Sequence, residues 1–151
     1  MSASGTEEAR NKRIVERYFH EVLDGKRIEL MPELVAPDAV MHRPGFDLKG
    51  LDAAVAYLRG RLPDYAAFST ELSGLIAEGD LVAVRIFHRA RMRPHTLRSR
   101  AGELRLAEER EVNWPAIVQF RLKGGKIVEE WVMRDELGML AQLGKITIGE
   151  R

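Results

Sequence analysis

Asp135 is the residue best placed for chemistry. It directly follows the run Lys126 to Arg134 and directly precedes Glu136-Leu137-Gly138. Gly124-Gly125 reads as a tight turn joining that run to Glu111–Leu122. A two-residue turn there sets Asp135 opposite Trp114, Met133 opposite Ala116 and Trp131 opposite Val118. Period-two alternation then puts Trp131, Met133 and Asp135 on one side of the sheet. A carboxylate among Trp114, Trp131 and Met133 is partly desolvated. Its pKa rises toward the working pH, which suits general acid/base work. The competing role is a helix N-cap, and the two roles are compatible.

The other reactive residues make weaker sets. His42 follows a short strand within reach of a cavity, although a lone histidine there is more often structural. His88 and His95 have lesser claims. Tyr18 lies on the apolar stripe of the first helix and reads as a pocket wall or core residue. The chain contains no cysteine, so thiolate zinc sites, disulfides and cysteine nucleophiles are excluded. No His-Glu-x-x-His spacing, glycine-rich phosphate loop or Gly-x-Ser-x-Gly elbow occurs, so neither a metal nor a cofactor is expected.

Helices and strands must carry these residues. Ser4 with Glu7 suggests a capping box for a first helix. Ile14, Val15, Tyr18, Phe19, Val22 and Leu23 give it one apolar stripe, and Gly25 is expected as its left-handed cap. Leu30 to Val35 reads as a short helical piece with Pro32 in its first turn. Ala36-Pro37-Asp38 reads as a turn, Ala39–His42 as a short strand and Leu51–Leu62 as a second amphipathic helix. The period then changes to two. Phe68–Ala77 and Leu81–Met92 form one strand pair, Glu111–Leu122 and Lys126–Arg134 another. A short helix, Glu136–Leu143, closes the chain between Asp135 and Gly144.

Strands gathered after helices predict an α+β fold. Val112 to Phe120 is almost continuously apolar, as in a strand covered on both faces, here by helices and by a second copy of the chain. Arg91 to Arg110 is arginine-rich and poor in apolar residues. It reads as a solvated hairpin or mobile loop, or as a cationic lid over a pocket.

With 151 residues, 45% hydrophobic and 31% charged, the chain fits one globular domain over residues 1–151. A net charge of +1 gives no reason to expect nucleic acid or an anionic membrane. No apolar run approaches a membrane span and the N-terminus has no apolar signal core. A cytoplasmic protein is expected.

Several stretches together resemble the SnoaL-like polyketide cyclase branch of the nuclear-transport-factor-2-like superfamily. They are Leu34-Val35-Ala36-Pro37-Asp38, His42, Pro63-Asp64, Leu75–Asp80 with Val82–Arg85, Gly125–Trp131, Asp135 and Gln142-Leu143-Gly144. The resemblance implies a cone-shaped, curved antiparallel sheet wrapped around N-terminal helices. It also implies a homodimer and a cofactor-free apolar pocket. Arg93-Pro94-His95 stands where the branch has Gly-Thr-His, and its Pro-Thr-Gly stretch is missing.

In the resembled cyclases an aspartate at the place of Asp135 is the general acid/base. The expected activity is therefore an intramolecular aldol cyclisation, or related acid/base chemistry, on a polycyclic or aromatic ketone. Asp135 and His42 would be catalytic. Tyr18, Trp114, Val118, Trp131 and Met133 would bind substrate. A binding or accessory protein with the same pocket is the alternative. Ketosteroid-isomerase-like chemistry fits less well, because its base would fall at Arg43 and its acid on a strand without Asp or Glu. Epoxide-hydrolase-like chemistry needs a second carboxylate that is not evident.

Overall fold

The computed structural model describes residues 3–146 and residue 149. Helix α1 runs Ala3–Arg17 and continues as a wider, π-helical stretch over Tyr18–Asp24. It already includes Ala3, so Ser4 lies inside the first turn; the Ser4 side chain is outside the described set. The predicted stripe is buried in full, from Ile14 to Leu23.

Gly25 is not the left-handed residue. Its φ is −77°, and Lys26 takes the positive φ, 55°. Glycine is required at 25 for space instead: a Cβ there would lie 2.5 Å from the Glu21 carbonyl oxygen. The Gly25 amide donates to the His20 carbonyl at 3.0 Å, a five-residue reach that the wide turn demands.

Helix α2 (Met31–Leu34) follows, with Pro32 in its first turn. Ala36-Pro37-Asp38 is not a separate turn. These residues lie within strand β1 (Val35–Arg43), whose pairing with β8 (Lys126–Arg134) is irregular between Val35 and Val40. Pro37 has no amide to give a ladder, so an interruption there is physically apt. The Pro44-Gly45 turn leads into β2 (Phe46–Lys49), which the sequence reading missed. Helix α3 (Leu51–Arg61) buries Ala54 and Leu58.

Strands β3 (Tyr65–Glu78) and β4 (Leu81–Met92) pair around Gly79-Asp80 as expected. The arginine-rich segment forms a two-stranded arm, β5 (His95–Ser99) with β6 (Gly102–Leu106). Leu97 and Leu106 anchor it in the core. Its arginines find acidic neighbours, Arg91 with Glu109 at 3.2 Å and Arg98 with Glu103 at 3.8 Å. Strand β7 (Arg110–Lys123) and helix α4 (Glu136–Gln142) complete the chain.

The main sheet has the order β2-β1-β8-β7-β4-β3. Its β1–β8 pair is parallel, so the sheet is mixed and not wholly antiparallel. It curves around α1 and α3 without closing. Strand β7 alternates strictly: Val112, Trp114, Ala116, Val118 and Phe120 are buried on the concave side. Pro115, Ile117 and Gln119 face outward and are exposed. Among the described residues, no helix is long and apolar enough to cross a membrane.

Candidate functional site

The expected pairing of β7 with β8 holds for two residue pairs only. Lys123 faces Lys126 and Leu122 faces Ile127, but Arg121 faces Glu129. Val128 is the extra residue of a bulge. Beyond it every pair is displaced by one, and a one-residue slip reverses the face. Trp131 pairs with Gln119 and Met133 with the outward Ile117. Trp131 and Met133 therefore lie on the convex face, and Met133 is 66% exposed. The concave face carries Glu130, Val132 and Arg134 instead.

The residues singled out from sequence fall into two groups. On or beyond the convex face, His42 stacks on Trp131 with ring centroids 5.7 Å apart. Its Nδ1 meets Asp47 at 3.0 Å and its Nε2 meets Glu129 at 2.9 Å. The hydrogen bond to Glu129, aided by Asp47, raises the His42 pKa against the opposing effect of burial. Asp135 caps α4: its Oδ1 accepts from the Gly138 amide at 2.8 Å. It borders a shallow outer groove of about 320 Å³ with Pro115, Ile117 and Met133. Tyr18, Trp114 and Val118 lie inside. The structure does not bring Asp135 and His42 to Trp114.

The interior holds a different constellation. A cavity of about 60 Å³ is walled by Phe68, Trp114, Tyr57, Tyr65 and aliphatic residues. Its polar walls are His88, Arg43, Arg61 and Arg134. It adjoins a wider recess of about 270 Å³ between α3 and the β5–β6 arm, with Tyr57 and Arg61 common to both. Thr96 and Arg98 of the arm line that recess, so the arm forms one wall of the mouth.

His88 is the reactive group here. Thr70 and His88 are a cross-strand pair on the concave side. The Thr70 hydroxyl donates to Asp24 Oδ1 at 2.7 Å, and the Thr70 amide donates to Oδ2 at 3.0 Å. With its proton given to Asp24, the Thr70 oxygen accepts from His88 Nδ1 at 2.8 Å. That assigns the proton of neutral His88 to Nδ1 and leaves the Nε2 lone pair free. No described residue hydrogen-bonds to Nε2. The ring sits between Phe68, 4.8 Å away, and Trp114, 5.1 Å away. Burial, then the charges of Arg43 and Arg134, push its pKa down to about 3.

Arg43 closes the deep end. Its Nη2 donates to the Tyr18 hydroxyl at 3.1 Å and lies 3.1 Å from Glu130 Oε1, a carboxylate 1% exposed. Burial disfavours the Arg43 charge, but Glu130, Tyr18 and Tyr57 outweigh it and hold the pKa above its usual value. Burial, reinforced by Glu130, pushes the Tyr18 phenol up, so it stays protonated. Tyr18 packs edge-on to Phe19 and Phe120, beneath Arg43 and away from the open space. Arg134 is tied to Glu136 at 2.8 Å. Among the described residues, no group of three or more His, Asp or Glu is placed to hold a metal ion.

Sequence reasoning passed over Asp24, Thr70, Arg61 and Arg134, took Arg43 only as a residue unable to serve as an isomerase base, and ranked His88 low. One signal was available: polar residues at inward positions of otherwise apolar strands. His88 sits between inward Ile86 and Ala90, and Glu130 and Arg134 flank Val132.

A curved sheet flanked by helices, with a buried histidine and three arginines on its concave side, defines an α+β cone. The chain belongs to the SnoaL-like domain family, whose domain matches residues 15–130, within the nuclear-transport-factor-2-like superfamily. Solved structures agree in fold. A protein of Jannaschia sp. CCS1, proposed as a SnoaL-like polyketide cyclase, is 16% identical with a TM-score of 0.77, covering 97% of this chain and 98% of that one. TsrD from Streptomyces laurentii is 20% identical with a TM-score of 0.76, covering 91% and 97%. An LEH-like epoxide hydrolase from M. tuberculosis is 18% identical with a TM-score of 0.72, covering 92% of each chain. At these identities the likeness shows the fold alone. No curated protein matches the chain in sequence.

Proposed function

We propose that this SnoaL-like protein is an acid/base enzyme that removes a proton beside the carbonyl of an aromatic ketone, as intramolecular aldol cyclisation requires. The observation that carries the reading is the Asp24–Thr70–His88 chain, which leaves Nε2 unprotonated against the chamber. His88 Nε2 takes the α-proton, and the carbonyl oxygen becomes an enolate beside Arg43 and Arg134. The enolate carbon then bonds to a second carbonyl carbon, whose oxygen takes the proton back from His88. A pKa of about 3 makes the resting imidazole a weak base. Negative charge growing on the substrate offsets the same arginines that depress it, so its basicity rises where the transition state needs it. The chamber, at about 60 Å³, takes the reacting carbonyl end of a conjugated substrate whose rings lie in the mouth.

A second reading keeps Asp135 as the base. It is supported by the apolar outer groove, where the Asp135 carboxylate adjoins Ile117 and Met133. A non-catalytic binder is the third. Deuterium exchange of the α-protons of 1-tetralone in D₂O, followed by NMR, separates them. The expected result is exchange above background, lowered ~10²–10⁴-fold by His88→Gln and unchanged by Asp135→Asn, which still caps α4. Loss in Asp135→Asn alone moves the base to the outer groove. Binding of the ketone without exchange leaves a binder.

A further inference from the structure

The chamber wall holds three guanidinium groups and no carboxylate. Each arginine has an acidic neighbour, but Glu130, Asp64 and Glu136 all stand outside the chamber lining. Arg61 is the least satisfied. Its side chain is 12% exposed, and its closest carboxylate oxygen, on Asp64, is 3.7 Å away. Nη1 donates to His95 Nε2 at 2.7 Å, and the guanidinium carbon lies 4.8 Å from the centre of the Tyr65 ring. Its Nη2 is sealed from solvent with no partner among the described residues, as is Nε of Arg43. A buried N–H without an acceptor is costly, more so on a charged group. The mechanism proposed above does not use Arg61.

We infer that the chamber mouth binds a planar aromatic carboxylate, its anionic group seated on Arg61 and its ring in the recess of about 270 Å³ between α3 and the β5–β6 arm. Arg61 borders both the chamber and its mouth, where Arg98 and the carboxylate Asp64 also line the wall. Guanidinium and carboxylate match as planar partners, with two parallel hydrogen bonds available. The interior is poor in water, which strengthens that contact over a surface pair. The inference rests on the chamber being the site. Within that reading it adds a substrate class: an aromatic keto acid, not a neutral ketone.

Benzoate and benzamide test it, being alike in shape and different in charge. The chain has two tryptophans. Trp114 lines the chamber and Trp131 lies on the convex face, so their indole N–H resonances report the place of binding. Benzoate is expected to shift the Trp114 signal alone and to bind about tenfold or more tighter than benzamide. Arg61→Gln should erase that preference. Should Arg61→Gln fail to fold, Arg61→Lys keeps the charge, loses the planar fork and should lose most of the preference. Equal binding of the two probes at Trp114 overturns the anion inference and leaves the chamber standing. So does a benzoate preference that survives both Arg61 variants. A shift at Trp131 instead, or no binding of either probe, overturns the chamber reading and the inference together. Benzoate binding without 1-tetralone exchange keeps the inference and removes the catalysis.

Discussion

His88 and Asp135 show how environment outranks residue type. Both are titratable groups near the end of the sheet, yet one is enclosed by aromatic rings and the other caps a helix at the surface. The buried state of His88 has a thermodynamic signature. Its pKa falls from 6.5 to about 3 on folding. Above pH 6.5 it is neutral in both states and contributes no slope. Below that, protons bind only the unfolded chain, so stability is lost progressively down to about pH 3. His88→Gln removes that component. The stability gap between wild type and variant should therefore shrink from pH 7 to pH 5 by about 2 kcal/mol. Urea unfolding at the two pH values checks it, and a constant gap would falsify the buried neutral histidine. His88 could have been found from sequence, because it breaks the apolar inward series of β4. Asp24, which accepts from the Thr70 hydroxyl, could not: that contact depends on how the end of α1 is wound.

That winding belongs to the scale of elements, where local chemistry was legible and registration was not. The stripe of α1, the turns at Gly79 and Gly124-Gly125, and the Asp135 cap all follow from residues close together in the chain. Two irregularities do not. The bulge at Val128 has no marker, since valine suits a regular strand as well as a bulged one. It alone moves Trp131 and Met133 outward and brings Glu130 and Arg134 in. The π-helical stretch Tyr18–Asp24 is equally silent, apart from the glycine that follows it. Wide turns of this kind collect at functional sites, and this one ends at Asp24, the start of the hydrogen-bond chain to His88. At an ordinary right-handed position, Gly→Ala stabilises by roughly 0.4–1 kcal/mol. Gly25→Ala should do the opposite, costing about 1–3 kcal/mol, because its Cβ would meet the Glu21 carbonyl at 2.5 Å. Denaturant unfolding decides the sign, and a stabilised variant would show that the turn relaxes freely.

At the scale of the whole molecule, the convex face of the sheet lacks cover. Ile76, Ala83, Gln119, Trp131 and His42 form one row of paired positions across it. Ile76, Ile117 and Met133 on this face are each more than half exposed. Strand β7 thus needs no second cover for its buried residues, and of its outward positions Asn113, Pro115, Ile117 and Gln119 only Pro115 and Ile117 are apolar. Isolated apolar residues on a surface are ordinary; the exposed cross-strand pair Ile117–Met133 beside a shallow groove favours a partner. A second copy of the chain is the simplest occupant, because a two-fold contact lets Ile117 and Met133 of each copy meet the same face of the other. We expect a homodimer in solution, with a mass twice the 17.1 kDa of one chain. Placing charges on the face without touching the concave core should undo it. Ile117→Glu combined with Met133→Glu should therefore give a folded monomer, with the Trp114 indole signal preserved and that of Trp131 displaced. Sedimentation equilibrium at micromolar concentration measures this. A wild-type monomer under those conditions, or a double variant that remains dimeric, would place the contact elsewhere or remove it, and would leave the outer groove at Asp135 open to solvent.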